Sequence, residues 1–380
     1  MVVGEFTQDA EVLVLGGGPA GLAAARRAAS LGKQVILVDP LDLPPLKGVD
    51  VLRGAGRFVD KRSIQVTGEE VSRVRFNRAI ICTGCTMGPD ALAGLPMTRS
   101  IQSDCQDAVL VSGSGTLAVT TAMRHARAGA DVVLTCPSSG LLPDFDPVLS
   151  AVVLECLTAA QIDVLPDVSF AGAEAEADAA RVVLEDGTVL GVFESVVPAQ
   201  PTGGMVDGLD LSNTTVQLDQ SGWISVDEQG MTGETRIRAA GGVTGQALEA
   251  GAAHRHGEVV AEVVCGLDST WDPAVTPSWL ETPIPVSWCG LNETRGADLG
   301  HDPISTSHGS DHDMIRMVHD RQTGLLLGSG AAGPSARIVA EAAVVAIEMG
   351  STIEDLAALT PVDATLPGLG TIARTAWSIS

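Results

Sequence analysis

The chain is 380 residues long and carries 23 Lys plus Arg against 47 Asp plus Glu, a formal charge of −24. That length allows two to three domains, each with its own core, and 45% hydrophobic with 18% charged residues is the composition of a globular protein. So acidic a balance excludes nucleic acids and anionic membrane surfaces as partners. There is no Tyr and aromatics make up 3%, so the cores must be aliphatic. No run reaches the roughly 18 apolar residues of a membrane helix. The opening MVVGEFTQDA lacks a secretory signal pattern, and the seven cysteines are odd in number and mostly scattered. The expectation is a reducing cytoplasm.

The first informative stretch is EVLVLGGGPAGLAAARRAASLGKQVILVDP. Glu11–Leu15 predicts a strand, and Ala20–Leu31 has helical apolar spacing. Between them Gly16, Gly18 and Gly21 form G-x-G-x-x-G. The first glycine allows a tight turn, the second lets backbone approach a pyrophosphate, and the third lets helix and strand pack closely. Free N–H groups and the dipole at the helix start favour a diphosphate. Asp39 ends the next strand, where a carboxylate accepts hydrogen bonds from ribose hydroxyls. Strand, turn, helix, strand and acid occur in order, which predicts a dinucleotide site.

Further along, Cys82-Thr83-Gly84-Cys85 places a C-x-x-C at a strand end. Cys82 and Cys85 either close a disulfide or supply thiolates, or they are two small residues beside the nucleotide turn. One pair does not make a structural zinc site, and no metal is expected. A second unit then begins at Ala108, AVLVSGSGTLAVTTAMRHARAGADVVLTC. Gly113, Gly115 and Ala118 give the G-x-G-x-x-A variant, but Thr135 or Cys136 stands where an acid would meet ribose. A neutral residue lacks the charge-assisted bond, worth about 1.5–3 kcal/mol. The second turn is expected to fold as a dinucleotide unit, with NAD(P) binding in doubt. Near the C-terminus His301, His308, Asp311, His312, Asp313, His319 and Asp320 cluster in sequence, in what reads as a polar turn before a strand at Met314–Val318.

In this order the motifs resemble the dihydrolipoamide dehydrogenase branch of the flavoprotein disulfide reductases. VDVLRGAGRFVDKRSIQV resembles the segment after that family's active-site helix, and AIICTGC, with Thr83 and Gly84, the stretch near the flavin diphosphate. GWISVDEQGMTGETRIRAAGGVTGQALEAGAAHRHGEVVAEVV resembles its returning flavin-domain strand and helix. Val286 to Ala376 resembles its dimer-forming interface domain. The resemblance implies an α/β fold of two Rossmann-type dinucleotide-binding domains plus a C-terminal α+β dimerisation domain. The expected boundaries are 1–105 with 233–268 for the FAD-type domain, 106–232 for the NAD-type domain and 269–380 for the interface. It implies a homodimer and FAD at Gly16, Gly18, Gly21, Asp39, Thr83, Gly84 and Gly241. His254 and His256 fall near the flavin's pyrimidine end, as acid–base candidates or as helix-surface histidines. Trp271, Trp279 and Trp288 are expected to fill core or dimer contacts.

The departures from that family are as specific. Its Cys-x4-Cys helix has no counterpart, because Asp39 is followed only by PLDLPPLKG before Val49. The Pro44–Pro45 pair excludes a helix interior there, so this stretch should be an extended strap beside a cavity bordered by Pro40–Lys47, Thr83–Cys85, Thr120 and His254. The family's glutamate falls at Thr120, its C-terminal His-Pro at Asp363 and Ala364, and its Gly-Asp flavin contact at Gly241-Gly242. Loss of this interacting set predicts an FAD-dependent oxidoreductase without disulfide chemistry, acting on an unknown small molecule. The alternatives are a pseudoenzyme keeping the dimer as an assembly module, a non-redox enzyme on the same scaffold, and a site fitted to the ADP half of FAD alone.

Overall fold

The computed structural model describes residues 6–68, 72–88, 107–137, 139–176, 179–310, 312–361 and 368–377. They group into two compact units, one of residues 1–86 with 201–272 and the other of 87–200 with 273–380. Residues 201–232, assigned from the sequence to the second dinucleotide-type domain, therefore pack with the first.

The first unit is built on a parallel sheet. Strand β1 (Phe6–Leu15) leads through the glycine turn into helix α1 (Pro19–Ser30), and β2 (Val35–Asp39) returns parallel to β1. The strap Pro40–Gly48 then crosses to β3 (Val49–Asp60), which pairs parallel with β2 before turning back through β4 (Ser63–Gly68) and β5 (Ser72–Ile81). β5 pairs parallel with β1 and with the returning strand Ile237–Ala239. Leu13 and Leu15 point into one core with Ile36, Val38, Phe58 and Phe76, while Val12 and Val14 point into the other with Val35, Leu37 and Ile80. Burial on both faces is why these strands are continuously apolar rather than alternating.

Alanines on α1 (Ala20, Ala24, Ala25, Ala28) let the returning helix Ala250–Val264 lie close against it. At Gly257 of that helix an added Cβ would stand 2.1 Å from the Ala20 carbonyl oxygen. Only glycine fits there.

In the second unit the parallel strands Val109–Ser112, Val132–Thr135, Asp163–Leu165 and Ser195–Pro198 repeat the motif with helices Thr116–Arg127 and Pro147–Ala159. A five-stranded antiparallel sheet runs in the order 278–280, 286–290, 326–332, 313–320, 303–310, with helix Ala336–Glu348 on it. Val111, Leu149 and Val197 of the parallel part share one core with Val286, Trp288, Val318 and Leu327 of the antiparallel part. A buried ion pair ties the two together. Arg316 donates to both Asp146 oxygens at 3.0 and 2.9 Å, and also to Ser305 at 2.9 Å and to Ser307. Removing one partner of such a pair costs about 3–5 kcal/mol, since the other charge is left buried alone.

Candidate functional site

Gly16 and Gly21 make the close backbone approaches that their spacing predicts. Gly16 has φ +104°, and a Cβ there would stand 2.3 Å from the Cys82 carbonyl oxygen. At Gly21 it would stand 1.8 Å from the Gly16 oxygen, so helix and turn touch backbone to backbone. Around Gly18 the space is open, with nothing within 4 Å of a Cβ. Gly18 is also the N-cap of α1 and offers no side-chain cap, Pro19 follows, and no acid stands in the first turn. The start of α1 thus keeps unsatisfied N–H groups and its positive dipole end for an anion.

Asp39 lies beside this turn, 8% exposed. One carboxylate oxygen accepts from the Gly17 N–H at 2.5 Å and the other from the Leu41 N–H at 2.7 Å. The acid is thereby held in orientation, and each oxygen keeps a further lone pair for a ribose hydroxyl. The strap reaches the turn as well. A Cβ on Gly17 would stand 2.4 Å from Leu43 Cδ1, so the Leu43 side chain lies on the turn itself. The sequence reading did not single out Leu43; an apolar residue amid strap prolines carries no local signal.

The strap contains no helix, as its prolines predict, and with β3 it lines an open cavity of about 530 Å³ whose wall includes Leu41, Leu43, Pro45, Leu46, Leu52 and Arg53. Of the expected border only the strap lines this cavity: Thr83–Cys85 and His254 are not part of its wall, and Thr120 belongs to the other unit. Asp363 and Ala364 lie outside the described residues.

The C-x-x-C residues are free thiols. Burial pushes the Cys82 thiol up to about 12 and raises Cys85 as well, so neither is a ready thiolate. Thr83 Oγ1 donates to the Met205 carbonyl at 2.6 Å, and Met205 N–H donates back to the Gly84 carbonyl at 3.0 Å. The segment is therefore braced from residues 203–205, which the sequence reading had placed in another domain. Gly242 lies against it: a Cβ there would be in ordinary contact with Cys85 Sγ at 3.5 Å. Both thiols thus sit protonated beside the nucleotide turn, packed against glycine backbone.

The two helix histidines separate. His254 is exposed, whereas His256 is fully buried on the opposite face, in line with Ala252, Ala253, Val259 and Val260. His256 is thus not a surface histidine. Its Nδ1 accepts from the Gly241 N–H at 3.2 Å, and its ring stacks on Trp271 at 4.9 Å between centroids. Burial pulls its pKa down to about 4, so the imidazole is neutral. Trp271 belongs to the first unit, while Trp279 and Trp288 belong to the second.

At the second turn Gly113 has φ +156°, and a Cβ would stand 2.7 Å from the Ala199 carbonyl oxygen; Gly115 is open and Ala118 is buried. Here the turn's own neighbours occupy its polar groups. Ser114 N–H and Oγ donate to Gln200 Oε1 at 3.4 and 3.3 Å. Thr135 is buried and its hydroxyl donates to the Val111 carbonyl at 3.4 Å, while burial pushes Cys136 up to about 11. Neither residue offers ribose a charged acceptor.

In the C-terminal sheet His308 lies within strand Pro303–Ser310 rather than in the turn. Asp320 accepts from the backbone of Asp302, Gln322 and Thr323, which holds its carboxyl well below the usual range. It organises a hairpin. Among the described residues no group of three or more His, Cys, Asp or Glu is placed to hold a metal ion.

The family model described as pyridine nucleotide-disulphide oxidoreductase matches residues 44–257, and one described as the C-terminal domain of alanine dehydrogenase/PNT matches residues 1–73. Dihydrolipoyl dehydrogenase of Haloferax volcanii is 25% identical over 449 aligned positions, covering 94% of each chain. That alignment is longer than the chain, so the relative carries segments this chain lacks. Dihydrolipoyl dehydrogenase of Thermus scotoductus is 29% identical over 82% of this chain and 72% of its own. Mercuric reductase of Lysinibacillus sphaericus is 26% identical over 83% and 61%. Among solved structures, the HOCl-induced flavoprotein disulfide reductase RclA of Escherichia coli aligns with a TM-score of 0.78 at 16% identity, over 96% of this chain and 99% of that one. LpdA of Mycobacterium tuberculosis aligns with a TM-score of 0.75 at 18% identity, over 97% and 99%. These two likenesses establish a shared fold.

Proposed function

The chain belongs to the FAD-dependent pyridine nucleotide-disulphide oxidoreductase family, and from that premise we propose an oxidoreductase that holds FAD at the first glycine turn and works without a protein dithiol. One observation carries the reading: the open, uncapped start of α1 at Gly18 beside Asp39, in a chain whose strap has neither helix nor cysteine. Gly16, Gly18 and Gly21 would hold the diphosphate and Asp39 the ribose, with Thr83, Gly84 and Gly241 lining the same site. When bound, FAD supplies a ring that accepts or donates electrons. The chain's residues bind and orient it.

The relatives named above are reductases and dehydrogenases, which supports a redox activity, and the substrate is a small molecule other than a disulfide. The second unit binds NAD(P) weakly or not at all, because Thr135 and Cys136 replace the acid. We place the protein in the cytoplasm as a homodimer through residues 269–380. Supporting this, no helix among the described residues is long and apolar enough to cross a membrane, and Ile338, Val345 and Met349 leave apolar side chains exposed on helix Ala336–Glu348 and its end.

A pseudoenzyme is the second reading, favoured by Gly242, which offers no carboxylate, and by the self-satisfied second turn. The purified protein decides between them. The oxidoreductase reading expects a visible flavin absorbance band, FAD in the denatured supernatant, and no NADH-dependent lipoamide reduction above a free-flavin blank. Colourless protein that takes up no added FAD overturns it in favour of the pseudoenzyme. Brisk lipoamide turnover overturns the loss of dithiol chemistry.

A further inference from the structure

We propose that His256 is a positioning residue that sets the dinucleotide site by holding the Gly241–Gly242 turn through its imidazole Nδ1. The proposal rests on the reading that the first unit binds a dinucleotide. The residue is fully buried, and its one hydrogen bond is spent on a single backbone amide, that of Gly241, at 3.2 Å. Because Nδ1 accepts, the ring proton sits on Nε2, which finds no partner among the described residues. A leucine or phenylalanine would fill this space without leaving a buried N–H unpaired. Packing alone therefore does not account for a histidine here.

The ring is aimed from its other face. It lies 9° from parallel with the Trp271 indole, and the backbone N–H of Trp271 donates to the Glu228 carbonyl at 2.7 Å. The target needs holding. Gly241 has φ +77°, a Cβ on it would stand 2.5 Å from Ala20 Cβ, and its carbonyl accepts from Thr244 Oγ1 at 2.8 Å. The next helix residue, Gly257, presses on the Ala20 carbonyl. Two consecutive residues of one helix thus fix the returning turn and the first turn of α1, two residues beyond Gly18. Gly242 has no side chain, so the backbone of this turn is all that the segment presents to a ligand. Its placement must be correct in itself, with no side chain to make up an error.

Two substitutions separate the hydrogen bond from the packing. His256→Phe keeps a ring against Trp271 and removes the acceptor, whereas His256→Asn keeps an acceptor near the place of Nδ1 and removes the ring. Two readouts apply: hydrogen exchange of the Gly241 amide in the ligand-free chain, and FAD affinity by fluorescence titration. The expected result is exchange at least about tenfold faster and affinity about tenfold weaker in His256→Phe, with both within about threefold of the parent in His256→Asn. His256→Leu, also without an acceptor, serves if the Phe variant does not fold. Asn behaving like Phe, or Phe behaving like the parent, overturns the proposal. If the parent binds no FAD, or Gly18→Val leaves its binding unchanged, the site reading fails and the cofactor role with it; unchanged exchange in His256→Phe refutes the holding of the turn by itself.

Discussion

The two glycine turns share a backbone device and differ in what surrounds it. In both, a strand ends at a glycine whose added Cβ would strike a carbonyl oxygen, at 2.3 Å for Gly16 and 2.7 Å for Gly113, and in both the second glycine faces open space. At the first, a carboxylate is held ready by two amides, at 2.5 and 2.7 Å. At the second, Gln200 takes the Ser114 donors and Thr135 turns its hydroxyl inward. The close contacts serve folding and are kept in both. Chemistry resides in the few polar groups left over, and these can be lost while the fold stays.

The sharpest way to break this comparison is at the open glycines. Gly18→Val and Gly115→Val both add a side chain where nothing stands within 4 Å of the Cβ, at φ of −73° and −87°, so both should fold with nearly unchanged melting temperatures. Flavin content per chain should fall to near zero in Gly18→Val and stay at the parent's level in Gly115→Val. Equal loss in both would mean that the turns are not functionally distinct.

A smaller effect is expected at the acids. Asp39→Asn removes the charge but keeps the shape, and FAD affinity measured by titration should weaken by about ten- to a hundredfold, the worth of one charge-assisted bond. Thr135→Ser at the corresponding place of the second turn should leave that affinity unchanged. An Asp39→Asn variant binding as tightly as the parent would remove Asp39 from the site.

The smallest effect concerns two buried histidines, His256 of the first unit and His319 of the second. His256 folded protonates near 4, below its ordinary value of 6.5, because burial disfavours the charged ring. With the folded value depressed, its contribution to stability is whole above 6.5 and is lost as the pH falls toward 4. Denaturant titrations across that window should show His256→Phe losing less stability than the parent, by on the order of 1–3 kcal/mol. His319 is also lowered by burial, but Asp320 opposes the shift, so His319→Phe should differ less. A pH profile identical in all three chains would contradict the assignment of a neutral, buried His256.

Much of this was legible in the sequence because it is local. Gly16, Gly18, Gly21 and Asp39 declare a turn and an acid through spacing alone, and Pro44–Pro45 forbid a helix whatever surrounds them. His256 was legible too, on closer reading: it keeps the three- and four-residue spacing of Ala252, Ala253, Val259 and Val260, while His254 is turned to the far side. What spacing does not carry is the partner across a long stretch of chain. Leu43 on Gly17, Met205 bracing Thr83 and Gly84, and Gln200 on Ser114 depend on how distant segments meet, and no periodicity records that. The grouping of residues 201–232 with the first unit was missed for the same reason.

The core beneath the second glycine turn bears on how such a chain can change over descent. Val111, Leu149 and Val197 share an interior with Val286, Trp288 and Val318, and Arg316 is buried against Asp146. Neither half owns that interior. Deleting the parallel half would leave the antiparallel sheet with a wet hydrophobic face and a stranded guanidinium. An ancestor could discard a ligand from this turn by single substitutions, each tolerable, yet could never discard the turn's domain in one step. Were this turn to lose its ligand, the domain around it would have to stay as a foundation for the rest.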